Sequence, residues 1–448
     1  MATLKRRYYA WLIKAYFKKM RRTIISSVVL GFIVFFAFVG LLNYYFRPLL
    51  FKTTESVGYS GTYSLQTLPR DILKEISYGL TTVNDKGEIL PGAAEKWTVS
   101  KDKVYTFKLK KGIKFHNGKE LTSENIGFQF ENVTQKAIDK YTIQYTLKDP
   151  YSPFLVSVSR PIFGKNLQGI GKFKVEDVDL NGGFVRSITL ADRSKKDSKR
   201  KIYFYPTQKA LGVAFMLGEI SKGYGFTNVN IDGVDLSKWK KIKKEEYTNY
   251  ESLVAIFYNS NDSVLSNKKL RQALNYSLPE KLDVGERAFG PIPPTSIYFS
   301  QSPTYRISDL ELSKTLLSTI KGGVKEKIVI STTDEYEHVA KRVQKAWEKL
   351  GIKSEISVVQ GVPTDFQVFI YPMKLPLDPD QYVLWHSDQV NNITHYKNLR
   401  IDKLLEDGRK ISDIEKRKEI YADFQKYLTD DVPASFLYFP KEYNISKN

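Results

Sequence analysis

From Thr23 to Phe46 the chain reads TIISSVVLGFIVFFAFVGLLNYYF, without one charged side chain. A helix rises about 1.5 Å per residue, so some 20 apolar residues cross the roughly 30 Å of bilayer hydrocarbon. The run therefore predicts a transmembrane helix over residues 23–46. Beyond it the pattern changes to short periods. Alternating runs at Val104–Leu109 (VYTFKL), Tyr141–Leu147 (YTIQYTL), Lys201–Tyr205 (KIYFY) and Lys327–Ser331 (KIVIS) predict strands. Apolar residues recur at helical spacing in Glu337–Leu350, Arg400–Arg409 and Asp413–Leu428. Gly351 follows the first of these and can close it before a strand starting at about Ser354. Helix, glycine stop and strand in that order predict an open α/β lobe. No internal repeat is visible.

Charge then orients the apolar run. Lys5, Arg6, Arg7, Lys14, Lys18, Lys19, Arg21 and Arg22 precede it, with no acidic residue among those positions. Short basic flanks stay on the cytoplasmic side, which predicts a cytoplasmic tail over 1–22, a linker over 47–56 and an extracytoplasmic domain over 57–448. A cleaved signal peptide is the competing reading. Its apolar core would span about 7–15 residues and end in a small-residue cleavage site, and neither condition is met.

The formal charge is +20, from 69 Lys+Arg against 49 Asp+Glu, and the tail accounts for eight of it. The remaining cations cluster in polar runs, Arg193–Lys201 (RSKKDSKRK) and Lys238–Lys244 (KWKKIKK), rather than on an aromatic-interleaved face. That favours a solvated surface, attracted to anionic lipid heads or cell-wall polymers, over a nucleic-acid site. The absence of cysteine excludes disulfides, a thiol nucleophile, thiolate metal sites and lipidation on an N-terminal cysteine.

The exterior portion carries a series of segments in a telling order. Tyr78–Gly79, Asp85, Gly87, Pro91 and Ala94–Trp97 form YGLTTVNDKGEILPGAAEKW. Tyr105–Asn125 follows (YTFKLKKGIKFHNGKELTSEN), with Gly112, Phe115, His116, Gly118 and Thr122 in one frame, then Gly169–Val175 (GIGKFKV) and Asn267–Tyr276 (NKKLRQALNY). Asn391–Lys397, Asp402–Leu405 and Arg417–Tyr421 close the series. Together these resemble the family 5 extracellular solute-binding proteins, the peptide- and nickel-binding components of ABC importers, over about residues 57–445.

The same residues have simpler physical readings. Asn117-Gly118 is a hairpin signal, because both residue types tolerate positive φ. His116 reads as a turn or packing histidine, Trp97 and Phe107 as core aromatics, and Thr122 as a helix N-cap. Catalysis lacks support. The histidines are His116, His338, His386 and His395, and no G-x-S-x-G, H-E-x-x-H or G-x-x-x-x-G-K-S/T occurs. No cofactor or metal is expected.

The resemblance implies a periplasmic-binding fold of the class II, extra-subdomain type: two α/β lobes that close around a ligand by a hinge. Lobe I is expected over about 57–75 and 165–260 plus a C-terminal return, a small subdomain over 76–164, and lobe II over about 261–430. The subdomain looks reduced, since about eight residues separate Asn132 from the strand at Tyr141. The implied partners are an ABC permease and ATPase complex and a peptide or other small solute, with no nucleic acid.

The family's peptide binders hold the ligand's α-amine with an aspartate three residues before a D-P dipeptide. Here Leu375 takes that place before Asp378-Pro379, and the nearest charge is Lys374, which would repel an ammonium. Either Asp378 serves instead, or the ligand is a blocked peptide, an anionic compound or something outside the family's usual range. The candidate pocket residues are Tyr59, Thr62 and Tyr63 near the start of the domain, and Met373, Lys374, Leu375 and Asp378 in the opposite lobe. The alternative function is a membrane-tethered receptor or scaffold that keeps the fold without transport.

Overall fold

The computed structural model describes residues 2–45, 54–195, 198–282, 284–300 and 308–447. Two helices lead it, Ala2–Lys19 and Arg21–Tyr45. The second carries the apolar run and is long and apolar enough to cross a membrane. Phe46 and most of the expected linker lie outside the described residues. The basic tail is itself helical and exposes Trp11, Tyr16 and Phe17 among its cations.

One long mixed sheet organises the rest. Its first half contains the strands Ile242–Thr248, Lys222–Phe226, Thr54–Ser60, Lys199–Tyr205, Phe184–Asp192 and Phe173–Asn181. Thr54–Ser60 runs parallel to both Lys199–Tyr205 and Lys222–Phe226. The second half contains Ser354–Val358, Ile328–Thr332, Val368–Lys374 and Ser252–Tyr258. Ser252–Tyr258 reads SLVAIFY and is buried on both faces, as the apolar run of a central strand requires. The 14-residue strand Ala434–Lys447 joins the two halves. Its first part pairs with Ser252–Tyr258 and its second with Ile242–Thr248. The lobes are thus linked by this strand and by the short passage Asn249–Glu251. That passage lies ahead of the boundary expected at 260: Ser252–Tyr258 is hydrogen-bonded along its whole length to Val368–Lys374 and belongs to the second lobe.

The helix Glu337–Glu348 packs on this second half through Val339, Ala340, Val343, Ala346 and Trp347. It gives way to Gly351 at φ +75°, and the strand Ser354–Val358 follows.

Between Thr54–Ser60 and Phe173–Asn181 the chain forms a separate antiparallel sheet, in the order Ala94–Ser100, Val104–Leu109, Thr142–Leu147, Val133–Asp139. The residues after Asn132 form the edge strand Val133–Asp139 of this sheet. Phe107 is fully buried, and the half-buried Trp97 packs against it at 6.3 Å. Thr122 precedes a single 3₁₀ turn, Ser123–Asn125, and its N–H donates to Asn125 Oδ1 at 2.9 Å. His116 ties this sheet to the first lobe: its Nδ1 accepts from Gly169 N–H at 3.1 Å and its Nε2 faces the Gly171 carbonyl at 3.2 Å. A Cβ on Gly169 would lie 2.1 Å from the Ile76 carbonyl, so this contact admits only glycine.

Candidate functional site between the lobes

In open α/β sheets ligands bind beyond the carboxyl ends of parallel strands, where side chains and free backbone groups converge. Both lobes bring such ends toward the connecting strand. In the first, Tyr59 sits near the end of Thr54–Ser60, in register with Phe204 and Tyr224 of its two parallel neighbours. Its ring stacks on Tyr224 at 5.1 Å with 18° between planes. Tyr63 packs on Phe204 at 5.1 Å, and its hydroxyl donates to the Ser60 carbonyl at 2.9 Å. Thr62 is exposed in the loop between them.

In the second lobe, Ile328–Thr332 runs parallel to Val368–Lys374 and leads into the turn Asp334–Tyr336. Glu335 lies in that turn. Tyr336 meets Tyr371 edge to face at 6.5 Å, and Tyr371 stacks on Phe369 at 5.1 Å.

Glu442, on the connecting strand, lies between these two walls. It pairs in register with Tyr247, whose hydroxyl donates to Oε2 at 2.6 Å, while Asn249 Nδ2 donates to Oε1 at 2.5 Å. Its field reaches residues of both lobes. Burial raises the Tyr63 hydroxyl pKa and Glu442 raises it further; Tyr247 responds in the same way and more strongly. The Glu335 carboxyl is pushed above the ordinary 4.5, first by the protein around it and then by Glu442. Glu335 nonetheless has solvent access, the situation of a group lining a cleft. The arrangement offers aromatic faces and two carboxylates, one on a wall and one on the connecting strand, and lends itself to holding a cationic or amphipathic solute.

The expected residues of the second lobe are placed differently from one another. Lys374 is exposed at the carboxyl end of its strand. Met373 and Leu375 are buried in the cluster with Phe369, Trp385 and Tyr396. Asp378 is buried against Arg417: Oδ1 accepts from Nη2 at 2.7 Å and Oδ2 from Nη1 at 3.2 Å. Arg417 also donates through Nε to the Gly408 carbonyl at 2.9 Å. Burial disfavours its charge, but Asp378 outweighs burial and raises its pKa. Asp378 is thus buried and its charge is met by the Arg417 guanidinium, away from solvent, which corrects its reading as the substitute acid. The sequence reading passed over Glu335, Tyr247, Tyr336, Tyr371 and Glu442. None stands in a motif, and only the strand pairing brings Glu442 beside Tyr247.

Residues 88–392 match the model of the bacterial extracellular solute-binding proteins, family 5. Among curated relatives, the chain is 23% identical to the oligopeptide-binding protein AppA of Bacillus subtilis, over 86% of this chain and 84% of that protein. It is 23% identical to di/tripeptide-binding protein 1 of Pseudomonas aeruginosa, over 93% of each. Among solved structures, the ABC transporter substrate-binding protein CtaP of Listeria monocytogenes superposes with a TM-score of 0.75 at 19% identity, covering 88% of this chain and 94% of that one. NikZ of Campylobacter jejuni, in complex with Ni(L-His), gives 0.73 at 20% identity, covering 89% and 94%. These relatives are binding proteins, not enzymes. With the two-lobed sheet, its two connections and a family match over most of its length, the chain belongs to the bacterial extracellular solute-binding proteins of family 5.

Proposed function

We propose that this protein captures a small solute, most plainly a peptide with a free amine, between its two lobes and delivers it to an ABC permease and its ATPase from a membrane-anchored position. The observation that carries the reading is that the carboxyl ends of the parallel strands in both half-sheets converge on the strand that bears Glu442. The curated relatives named for oligopeptides and for di- or tripeptides support the ligand class.

In this reading Tyr59, Thr62, Tyr63 and Lys374 line the cleft, while Met373, Leu375 and Asp378 support it from behind. The ligand's ammonium is held by Glu442 with Glu335, in place of the family's aspartate. Leu375 is only 5% exposed, so a carboxylate at that position would enter the apolar core rather than the cleft. The helix Arg21–Tyr45 serves as an uncleaved anchor, with the basic tail cytoplasmic.

A panel of free and N-acetylated peptides tests the function. A two-state binder gains RT ln(1 + [L]/Kd), about 2.7 kcal/mol at a hundredfold excess over Kd. The free peptides should raise the melting temperature and shrink the scattering radius, and Glu442→Gln should abolish the preference for a free amine. A chain that no solute stabilises, with one fixed shape in solution, would favour the receptor or scaffold reading instead.

A further inference from the structure

Several basic segments of the first lobe meet at one edge of its sheet. Thr54, the first described residue after the apolar helix, pairs with Lys199; Val57 pairs with Lys222, Lys222 with Ser446, and Ser446 with Lys243. These strand ends lie together, at the opposite end of Thr54–Ser60 from Tyr59. Two basic segments feed the same edge: the turn holding Lys195, just before Lys199, and Trp239–Lys241, just before Ile242.

Several cations within the strands are already neutralised. Arg200 pairs with Glu55 and Glu75, Lys222 with Glu55, and Lys243 with Glu245. Lys195, Lys240 and Lys241 are exposed and have no ion pair among the described residues. Between Lys238 and Lys240 stands Trp239, 38% exposed, a large indole left on the surface. An indole set among lysines is the composition of a segment that rests in a membrane interface, where the ring sits at headgroup level and the ammonium groups meet phosphates.

Chain length brings this edge to such a surface. Only residues 46–53 separate the helix Arg21–Tyr45 from Thr54. Eight residues reach at most about 28 Å whatever their path. Surface charges act over a screening length of about 8 Å at physiological salt, so a tethered edge gains attraction that the far lobe does not.

We propose that this edge, through Lys195, Trp239, Lys240 and Lys241, docks on the anionic phospholipid headgroups of the membrane that holds the Arg21–Tyr45 helix. The inference rests on the anchored reading. Its consequence is mechanical: the first lobe is parked on the bilayer, and the second lobe performs the closing motion.

The chain has no cysteine, so a dye on Ser237→Cys reports on the edge and one on Asn181→Cys, in the turn at the other end of the sheet, serves as control. The full-length protein is reconstituted into vesicles of phosphatidylcholine alone, or with about a third phosphatidylglycerol, carrying a headgroup-linked quencher. Quenching at Ser237→Cys should rise at least about threefold with the anionic lipid and fall again near 0.5 M salt, while the control stays unchanged. The combined change Lys195→Gln, Lys240→Gln and Lys241→Gln should remove the rise without altering ligand-induced thermal shifts. Equal quenching in both lipids, or a rise that survives the triple change, would overturn the proposal. So would an edge that ignores phosphatidylglycerol but binds soluble polyphosphate. Flotation after an alkaline wash reports on the anchor separately. If the wash strips the chain, salt-sensitive rebinding to phosphatidylglycerol vesicles still supports the docking edge, and no rebinding overturns it.

Discussion

Arg417 and Asp378 form an ion pair almost without solvent contact, with side chains 5% and 9% exposed. Removing one member of such a pair leaves a bare buried charge, which costs about 3–5 kcal/mol, whereas replacing both is often close to neutral. Arg417→Met should therefore lower the urea-unfolding free energy by about that amount, and adding Asp378→Leu should recover more than half. A second residue-scale prediction concerns His116. Its Nδ1 accepts the Gly169 N–H, which requires that nitrogen to be unprotonated, and burial, its largest influence, lowers its pKa below 6.5. A base whose folded pKa is depressed binds fewer protons folded than unfolded, so its contribution is complete above about pH 6.5 and is lost as pH falls below that value. The melting temperature should drop across that window, and His116→Gln should flatten the drop. An equally steep decline in the variant would move its cause to other groups.

At the scale of elements, the contact between the small sheet and the first lobe depends on backbone proximity. The helix Arg70–Ile76 ends where Gly169 and Gly171 pass, and a Cβ on either would meet a backbone carbonyl of Ile76 or Glu75. Neither carbonyl can swing aside as a flexible side chain could. Gly169→Ala should destabilise by about 1–3 kcal/mol, the usual cost of overpacking, as read by denaturant midpoint. Hydrogen exchange should rise first in Val104–Leu109 and its neighbours, because the small sheet loses its support before the lobes do. The connecting strand Ala434–Lys447 behaves differently. It belongs to both half-sheets, so a change there alters lobe geometry and cleft chemistry together, as Glu442 illustrates.

At the scale of the whole molecule, the proposed ligand site predicts that closure is coupled to protonation. Glu335, in the second lobe, is held above the ordinary 4.5 by its surroundings first and by Glu442 second. An ammonium bound between them reverses the second influence and favours the ionised form. Binding of a free-amine peptide near pH 5 should then release protons, seen as a dependence of the calorimetric heat on the buffer's ionisation enthalpy. An acetylated peptide should release none, and Glu335→Gln should remove the effect. Proton uptake on binding would contradict this placement of the ligand cation.

Much of the fold was legible in the residues because it depends on local patterning. Alternation marked VYTFKL and KIVIS as strands to within a residue, and helical spacing with Gly351 marked Glu337–Glu348 and its stop. The family motifs were legible too, since their glycines and turn residues answer to backbone constraints at short range. The site was only partly so. Tyr59, Tyr63 and Lys374 were named from the resemblance, whereas the strands Thr54–Ser60 and Val368–Lys374 beside them were not predicted; Asp378 looked free because its partner Arg417 lies 39 residues away on a helix. Glu442 and Glu335 gave no signal at all. Period and composition act over a few residues and determine which segments become strands and helices. Which carboxylate is neutralised and which faces the cleft is decided by pairings between distant segments, and only the folded chain brings those together.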